Sequence, residues 1–376
     1  MLAGPCGRKR DSMKSNILLV FGAGASIGGR FYPVNDYQDN IRMPSGAGFF
    51  YDNLKQYNSD GSIQRYLNFI GMTYTNFYEY LKLAYGIDKK GFTPSDWKKL
   101  DLEKVLSLID IGSEMYVPNT KYSQWYKNLR NELMDIITFE IMRRSLYKHC
   151  SLLDELFSGL KSSDSIFTFN YDLIAERSLI ENNCSQYANY IDFMGKYEKQ
   201  KSILQKGIFL KLHGSIDWVS CKNKKCSLFN KVILIADVAK SINISSYDSK
   251  CTICGQRVHS VIIPPISNKK QIQENTLFHK QWIIAKNQLV KFDRIIFYGY
   301  SFPSTDMYSE WLFRQVNFMV DEKGEKVKYR IDVINPEMKN RNSKTYKRYR
   351  ELFAYQRIES YYSLGDFLSK EGKNFG

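Results

Sequence analysis

Short apolar runs that end in small or polar residues recur along this chain and constrain its fold more than any other feature. Each run has the length of a buried strand, and stretches of helical length separate several of them, such as 172–182 and 276–290. This alternation predicts an α/β fold built on a parallel, doubly wound sheet. The predicted strands are Ile17–Phe21, Ser165–Phe169, Gly207–Leu212, Val261–Ile263, Asp293–Tyr298 and Tyr329–Ile334.

Between Phe49 and Lys161 the strand-like runs are absent and helical spacing replaces them. Asp101 precedes one apolar stripe in the position of an N-cap. We therefore predict a helical lobe over 49–161, inserted into a sheet domain formed by 17–48 and 162–376, with a flexible basic N-terminus over 1–16. The two apolar stripes consist of Leu102, Val105, Leu106 and Ile109, and of Leu129, Leu133, Ile136 and Ile137.

The first predicted strand leads directly into a glycine-rich stretch. Such a junction is typical of a phosphate-binding loop, because glycine lets the backbone approach a pyrophosphate closely. A serine hydroxyl and the N–H groups of a following helix would add further donors. A glycine-rich turn without a ligand remains the alternative. The residues of this stretch are Gly22, Ala23, Gly24, Ala25 and Ser26.

Polar side chains follow two other predicted strands. Asn170 and Asp172 come after the strand that begins at Ser165, and His213 comes directly after the strand that begins at Gly207. Ligands of open α/β sheets bind beyond the carboxyl ends of the strands, and imidazole can accept a proton near neutral pH. These three residues are therefore candidate catalytic groups. A simple helix-capping turn and a structural histidine are the alternatives.

Four of the seven cysteines form two close pairs separated by 24 residues. Thiolates two to four residues apart can bind one zinc ion tetrahedrally, and two such pairs complete a structural site with no open position. We predict a small zinc-binding module over 219–260 without a catalytic role. Four reduced cysteines without a metal are the alternative. The pairs are Cys221 with Cys226 and Cys251 with Cys254.

Composition and charge indicate where in the cell the protein acts and what it could bind. The chain of 376 residues carries a net charge of +15 and no apolar run long enough to cross a membrane. The first residues lack the apolar core of a secretory signal, so we expect a cytoplasmic protein. One basic cluster fits either a solvated helix face or a surface for nucleic acid or an acidic partner. It contains Lys339, Arg341, Lys344, Lys347, Arg348 and Arg350.

Taken together and in this order, the motifs resemble those of the sirtuin (Sir2) superfamily. The resemblance implies a Rossmann-like NAD-binding domain with a small zinc-ribbon module. The motifs are Gly22-Ala23-Gly24-Ala25-Ser26, Thr168-Phe169-Asn170-Tyr171-Asp172, His213-Gly214, the two cysteine pairs, Gly299-Tyr300-Ser301 and Ile334-Asn335-Pro336-Glu337.

The resemblance also implies a role for each matched residue. The stretch from Gly22 to Ser26 would hold the NAD+ pyrophosphate, and Asn170 and Asp172 would hold the nicotinamide ribose and carboxamide. His213 would be the general base. Further NAD-binding residues would be Gly299, Ser301 and Asn335, with the last two facing the adenosine half.

Two departures separate this chain from protein-deacylating sirtuins. The first glycine motif continues as Gly29-Arg-Phe-Tyr-Pro-Val34, and the strand that clamps an acyl-lysine peptide is replaced by Val261-Ile-Ile-Pro-Pro265. Proline cannot donate a backbone hydrogen bond to an added peptide strand. The pattern is more similar to the sirtuin-like NAD-hydrolysing effectors of bacterial anti-phage systems.

We therefore expect an NAD+ glycohydrolase that depletes NAD+ in abortive infection. A protein deacylase or ADP-ribosyltransferase is the first alternative, and a non-catalytic NAD or ADP-ribose sensor bound to a partner or nucleic acid is the second. Expected partners are NAD+, further copies of the chain, and a separately encoded ATPase or nucleic-acid-bound regulator.

Overall fold

The computed structural model describes residues 16–28, 32–33, 43, 48–50, 74–86, 100–145, 148–182, 207–234, 250–264, 272, 275–320 and 324–372. The predicted flexible N-terminus, except its last residue, and most of the segment 29–34 lie outside this part. The strands are β1 (Ile17–Phe21), β2 (Tyr32–Pro33), β3 (Lys148–His149), β4 (Ser165–Thr168), β5 (Phe209–Lys211), β6 (Gly214–Cys221), β7 (Val232–Leu234), β8 (Val258–Ile262), β9 (Arg294–Tyr298), β10 (Arg330–Ile334) and β11 (Arg357–Tyr361). The helices are α1 (Ala23–Gly28), α2 (Thr75–Tyr85), α3 (Leu102–Met115), α4 (Lys121–Ser145), α5 (Ser151–Ser158), α6 (Ile174–Glu181), α7 (Thr276–Gln288), α8 (Met307–Arg314), α9 (Lys344–Leu352) and α10 (Leu364–Glu371).

In the described chain a six-stranded parallel sheet forms the centre of the fold. Its spatial order is β11-β10-β9-β1-β4-β5. When the strands are numbered in the order in which the chain enters the sheet and read from the β5 edge, the order is 3-2-1-4-5-6. The chain therefore builds outward from β1 in one direction and from β9 in the other. A crevice is expected at such a reversal, outside the carboxyl ends of the two strands.

Helices cover both faces of this sheet, as the sequence alternation predicts. All five residues of β1 are buried, and successive side chains of a strand point to opposite faces. Leu18 and Val20 belong to a core that includes α7, α8 and α9. Leu19 and Phe21 belong to a core that includes α2–α6 and α10. The helices of segment 49–161 therefore share one hydrophobic core with a face of the sheet.

The two predicted apolar stripes form the buried faces of α3 and α4. All eight residues of these stripes are buried. Asp101 caps α3 as predicted, because its carboxylate accepts a hydrogen bond from the Lys104 amide at 2.9 Å. Apolar periodicity therefore predicted both helices from the sequence, and the N-cap predicted where α3 begins.

The placement of Val261–Ile263 in the parallel sheet was wrong. This run belongs largely to β8, which pairs antiparallel with β6 in a separate three-stranded sheet of order β7-β6-β8. Gly214, at φ +86°, lies opposite Ile262 at the start of this pairing. A Cβ at Gly214 would lie 2.3 Å from the Val261 carbonyl oxygen, so only glycine permits this approach.

Buried ion pairs fasten the C-terminal helix to the sheet. Asp332, in β10, is fully buried and accepts from Arg294, the first residue of β9, at 2.5 Å. Arg294 also contacts Glu371 of α10 at 2.7 Å, and Arg330 contacts Glu371 at 2.5 Å. Each buried charge thus has an opposite partner, which is the condition under which burial of ions is tolerated.

This network predicts an acid-sensitive contribution of Glu371 to stability. Burial works to raise the pKa of Glu371, but hydrogen bonds from Tyr361 and Arg330 and the charge of Arg294 lower it from 4.5 to about 2. A depressed carboxyl pKa gives stability that is present above pH 4.5 and is lost as pH falls towards 2. Glu371→Gln should therefore cost about 1–3 kcal/mol at pH 7 and flatten this acid dependence.

Urea unfolding at several pH values between 7 and 2 measures both effects. Glu351→Gln is the matched control, because Glu351 is mostly exposed and pairs with Arg314 at the surface. Equal acid dependence in the Glu371→Gln variant and the native chain would contradict the assignment.

Candidate functional site

A cavity of about 180 Å³ lies beyond the carboxyl ends of β1, β4, β5 and β9. It is therefore at the place where the strand order reverses. The segment inserted between β1 and β4 supplies part of its wall. Its described lining residues are Ala23, Ser26, Met43, Phe49, Leu102, Glu103, Ile137, Ile141, Phe169, Asn170, Tyr171, Asp172, His213, Tyr300, Pro303, Thr305 and Asp306.

Asn170, Ser26 and Asp172 form one hydrogen-bonded chain on the cavity wall. The Asn170 side-chain amide donates to the Gly22 carbonyl oxygen and to Ser26 Oγ, each at 3.0 Å. Ser26 Oγ donates to Asp172 Oδ2 at 2.7 Å. Both amide protons of Asn170 are engaged, so its carbonyl oxygen is the group that it can offer to a ligand.

Asp172 also has the simple capping role that the sequence left open. Its Oδ1 accepts a hydrogen bond from the Ile174 amide at 3.0 Å, at the start of α6. One carboxylate oxygen therefore fixes the helix start while the other accepts from Ser26. Asp172 therefore caps α6 and forms part of the cavity wall at the same time.

His213 is buried in the same cavity and is paired with an acid that the sequence did not indicate. His213 Nε2 lies 3.3 Å from Asp306 Oδ2, and the ring packs edge-on against Phe169 at 5.0 Å. The Tyr300 hydroxyl also donates to Asp306. Burial, reinforced by the charge of Asp306, holds the pKa of Tyr300 well above its ordinary value, so it stays a protonated donor.

The sequence signal available for Asp306 was its position as a helix N-cap. It lies directly before α8, and its side chain accepts from the Ser309 amide. A cap in sequence gives no indication of its tertiary partner, which is why the pairing with His213 was missed. The arrangement is that of an acid that orients a histidine able to accept a proton.

The glycines at positions 22, 24 and 299 are required by a close contact between two turns. A Cβ at Gly24 would lie 2.7 Å from the Gly299 carbonyl oxygen. Gly299 has φ +66°, and a Cβ there would lie 2.0 Å from the Ala25 amide nitrogen. The glycine-rich stretch therefore packs against the turn after β9, a role that the sequence did not indicate.

Most of this stretch is helical, and several of its amides are already engaged. Helix α1 begins at Ala23, so only Gly22 precedes it. The amides of Gly22, Gly24 and Ala25 donate to the carbonyl oxygens of Tyr298, Gly299 and Gly22. Of the five residues predicted to hold a pyrophosphate, Ala23 and Ser26 line the cavity.

Three other predicted NAD-binding residues lie outside the cavity lining. Gly299 is in the turn contact, and Ser301 is exposed beyond the end of β9. Asn335 is buried after β10, where its side chain accepts from the Glu337 amide at 2.9 Å. All three follow adjacent parallel strands at the same edge of the sheet as the cavity.

A fully buried lysine supports the segment that carries Asn170 and Asp172. Lys211 Nζ donates to the backbone carbonyl oxygens of Tyr171 and Asp172, and it pairs with Glu176 at 2.5 Å. Burial raises the pKa of Glu176 to about 7, against the opposing effect of Lys211. In the sequence, the signal for this role is a lysine inside an otherwise apolar strand.

The four predicted cysteine ligands come together in three dimensions. All four Sγ atoms lie within 4.8 Å of one another, and the closest pairs are Cys221–Cys254 at 3.6 Å and Cys226–Cys251 at 3.7 Å. A tetrahedral site with metal–sulfur bonds of about 2.3 Å places its sulfurs about 3.8 Å apart. These cysteines can therefore hold one metal ion.

The basic cluster lies mainly on and before α9. This helix buries Thr345, Tyr349 and Leu352, and most of its basic residues face outward. Arg348 pairs with Glu310 at 3.2 Å, and Lys339 Nζ lies 3.5 Å from the centre of the Tyr362 ring. Part of this positive charge is therefore used within the molecule.

No protein-family model matches the chain, and no curated protein matches it in sequence. Among the described helices, none combines the length and apolar character needed to cross a membrane.

The role of Lys211 predicts a specific pattern of stability changes. Lys211→Met should destabilise the protein by about 3 kcal/mol, because it leaves the largely buried Glu176 carboxylate without its partner. The double variant Lys211→Met/Glu176→Gln should recover part of this loss, since the orphaned charge is then removed.

Urea unfolding of the single and double variants provides the measurement. Lys286→Met, on the exposed side of α7, is the matched control and should change stability by less than about 0.5 kcal/mol. A Lys211→Met variant as stable as this control would show that the buried ion pair does not support the segment.

Proposed function

We propose that the chain is an NAD+ glycohydrolase that releases nicotinamide and ADP-ribose. The observation that carries the proposal is one cavity lined by Ser26, Asn170, Asp172 and His213 where the strand order reverses. We also propose that the sheet is Rossmann-like, since the order 3-2-1-4-5-6 is the one found in dinucleotide-binding folds. The motif resemblance to the sirtuin superfamily supports the same substrate.

The chemistry requires a group that offsets developing charge and a group that accepts a proton. Cleavage of the nicotinamide–ribose bond builds positive charge on the ribose, and the Asp172 carboxylate in the cavity wall is suited to offset it. The carbonyl oxygen of Asn170 can accept a hydrogen bond from a ribose hydroxyl or from the attacking water. His213, oriented by Asp306, can take the proton of that water.

The geometry favours hydrolysis over deacylation of a peptide. The backbone that would clamp an added peptide strand is engaged, because the Ile263 amide donates to the His213 carbonyl oxygen at 2.8 Å. The Ile263 carbonyl oxygen accepts from the Tyr171 hydroxyl at 2.5 Å. The next residue, Pro264, has no amide proton to offer.

The catalytic assignment predicts loss of activity without loss of structure. His213→Ala and Asn170→Ala should each reduce NAD+ cleavage about 10²- to 10⁴-fold, which is the usual range for one acid–base group. Nicotinamide release should be followed with and without an acetylated peptide. We expect release that does not depend on the peptide.

His279→Ala is the matched control, because His279 is exposed on α7 and away from the cavity. Release only with the peptide would favour the deacylase alternative. Binding of NAD+ without release of nicotinamide in the native protein would favour the sensor. Full activity in the His213→Ala variant would make His213 a structural histidine.

We further propose that the cysteine cluster holds a structural zinc ion, since four thiolates at tetrahedral spacing match its preferred ligands. Metal analysis of the purified protein should give about one zinc per chain. Cys251→Ser should lower both zinc content and melting temperature, because zinc binding contributes folding free energy.

Cys150→Ser is the control for this metal prediction. Cys150 is buried but lies outside the cluster, so its replacement should leave the zinc content unchanged. Purified protein without metal, together with an unaltered melting temperature in Cys251→Ser, would contradict the zinc site.

The biological setting that we propose is depletion of NAD+ during abortive infection in the cytoplasm. This step rests on the motif resemblance to anti-phage effectors. A toxic hydrolase requires control, for which we propose assembly of several copies or a separately encoded ATPase or nucleic-acid-bound regulator. NAD+ levels in cells that carry the native chain or Asn170→Ala, compared before and after phage infection, test the proposal.

A further inference from the structure

A second cavity, of about 190 Å³, lies between α4, the β6–β8 sheet and the start of α7. Among the described residues, none lines both this cavity and the first. The lining of the second cavity is about equally polar and apolar and includes the basic side chains of Arg130 and Lys222, whereas the lining of the first cavity is mainly apolar. The described lining residues are Arg130, Asn131, Met134, Asp135, Lys222, Asn230, His259, Ser260, Val261, Ile262, Asn275, Thr276 and Phe278.

Arg130 brings an unsatisfied donor to this cavity. Its Nε donates to Asp110 at 2.7 Å, which holds the guanidinium in place. Its Nη2 is buried and has no hydrogen-bond partner within the described part of the chain. A buried guanidinium N–H group without an acceptor is costly, and a bound oxyanion would satisfy it.

Other positive and donor groups converge on the same space. Lys222 contributes a second cation, whose Nζ donates to Asn230 at 3.2 Å. His259 Nδ1 is buried without a partner among the described residues. The 13-residue helix α7 begins at this wall, with Asn275 as its cap, so the positive end of its dipole also faces the cavity.

Asp135 is the single carboxylate among the described lining residues, and it is paired with Arg257 at 2.7 Å. Burial raises the pKa of Asp135 to about 6, so the carboxyl is still mostly ionised at pH 7, and the charge of Arg257 offsets it. The balance of charge in the cavity is therefore positive. An anion fits this balance, and a cation does not.

We propose that this cavity binds a phosphate group, either free phosphate or the phosphoryl group of a nucleotide. Arg130 and Lys222 would neutralise its charge, and the start of α7 would add donors. The site is separate from the proposed NAD+ cavity, so its occupant is a second ligand.

Calorimetric titration of the full chain with inorganic phosphate, at constant ionic strength set with chloride, tests the proposal. Native protein should show saturable binding. Arg130→Gln and Lys222→Gln should each weaken it about tenfold, since each removes a charge-assisted hydrogen bond. Lys225→Gln is the matched control, because Lys225 is exposed in the same turn but does not line the cavity.

A second titration with adenosine monophosphate distinguishes the two sources of the phosphate group. Tighter binding than inorganic phosphate identifies a nucleotide, and equal or weaker binding identifies the free ion. Lys222 is exposed, so its variant should fold even if Arg130→Gln proves unstable.

Three outcomes would overturn the proposal. They are the absence of saturable binding to the native chain, equal weakening in Lys225→Gln, and full binding in both cavity variants. Phosphate binding that survives Arg130→Gln and Lys222→Gln but is lost in His213→Ala would assign the anion to the first cavity instead.

Discussion

The close contact between the turn after β1 and the turn after β9 is the constraint on which the candidate site depends. Gly24 donates its amide to the Gly299 carbonyl oxygen at 2.8 Å, and neither position has room for a Cβ. The same contact places Tyr300 over Gly22, where a side chain would lie 2.5 Å from the tyrosine ring. Tyr300 then reaches Asp306, the partner of His213. The contact between these glycines therefore positions the turn after β1 against the turn after β9, and both turns border the cavity at the strand reversal.

Buried charges secure the two ends of the sheet around this contact. At the carboxyl end of the sheet, Lys211 donates hydrogen bonds to the backbone carbonyl oxygens of Tyr171 and Asp172. Near the amino ends of β9 and β10, Arg294 and Arg330 connect to Asp332 and Glu371. An isolated ion in such places would be strongly unfavourable, so each of these charges needs its partner nearby. The strand ends are therefore held in defined positions relative to one another.

Local signals predicted much of the fold, and tertiary contacts explain what they missed. The apolar run Ile17–Phe21 is a strand with the predicted ends. A strand buried on both faces is a continuous apolar run, so its ends are visible in the sequence. Edge strand β11 was missed because exposed Arg357 and partly exposed Glu359 interrupt its apolar residues. The run at Val261 was correctly a strand but was assigned to the wrong sheet, since apolar character does not specify a pairing partner.

In the candidate site, too, local sequence signals predicted some residues, and others depend on tertiary contacts. Asn170, Asp172 and His213 were candidate catalytic groups because each follows a predicted strand, and all three line one cavity because the parallel strands end at one edge. Asp306 and Lys211 were not predicted. Their partners lie far away in sequence, and no periodic pattern reports such a pair. The glycine motif was recognised, but sequence alone could not distinguish contact with a ligand from contact with another turn.

Helix α4 borders both cavities, and strand β8 connects the second cavity to residues in the wall of the first. Helix α4 presents Met134 to the second cavity and Ile137 and Ile141, one and two turns further along, to the first. Strand β8 lines the second cavity with Ile262, and the next residue, Ile263, binds the His213 backbone and the Tyr171 hydroxyl. The helical segment inserted between β1 and β4 therefore forms part of the wall of both cavities.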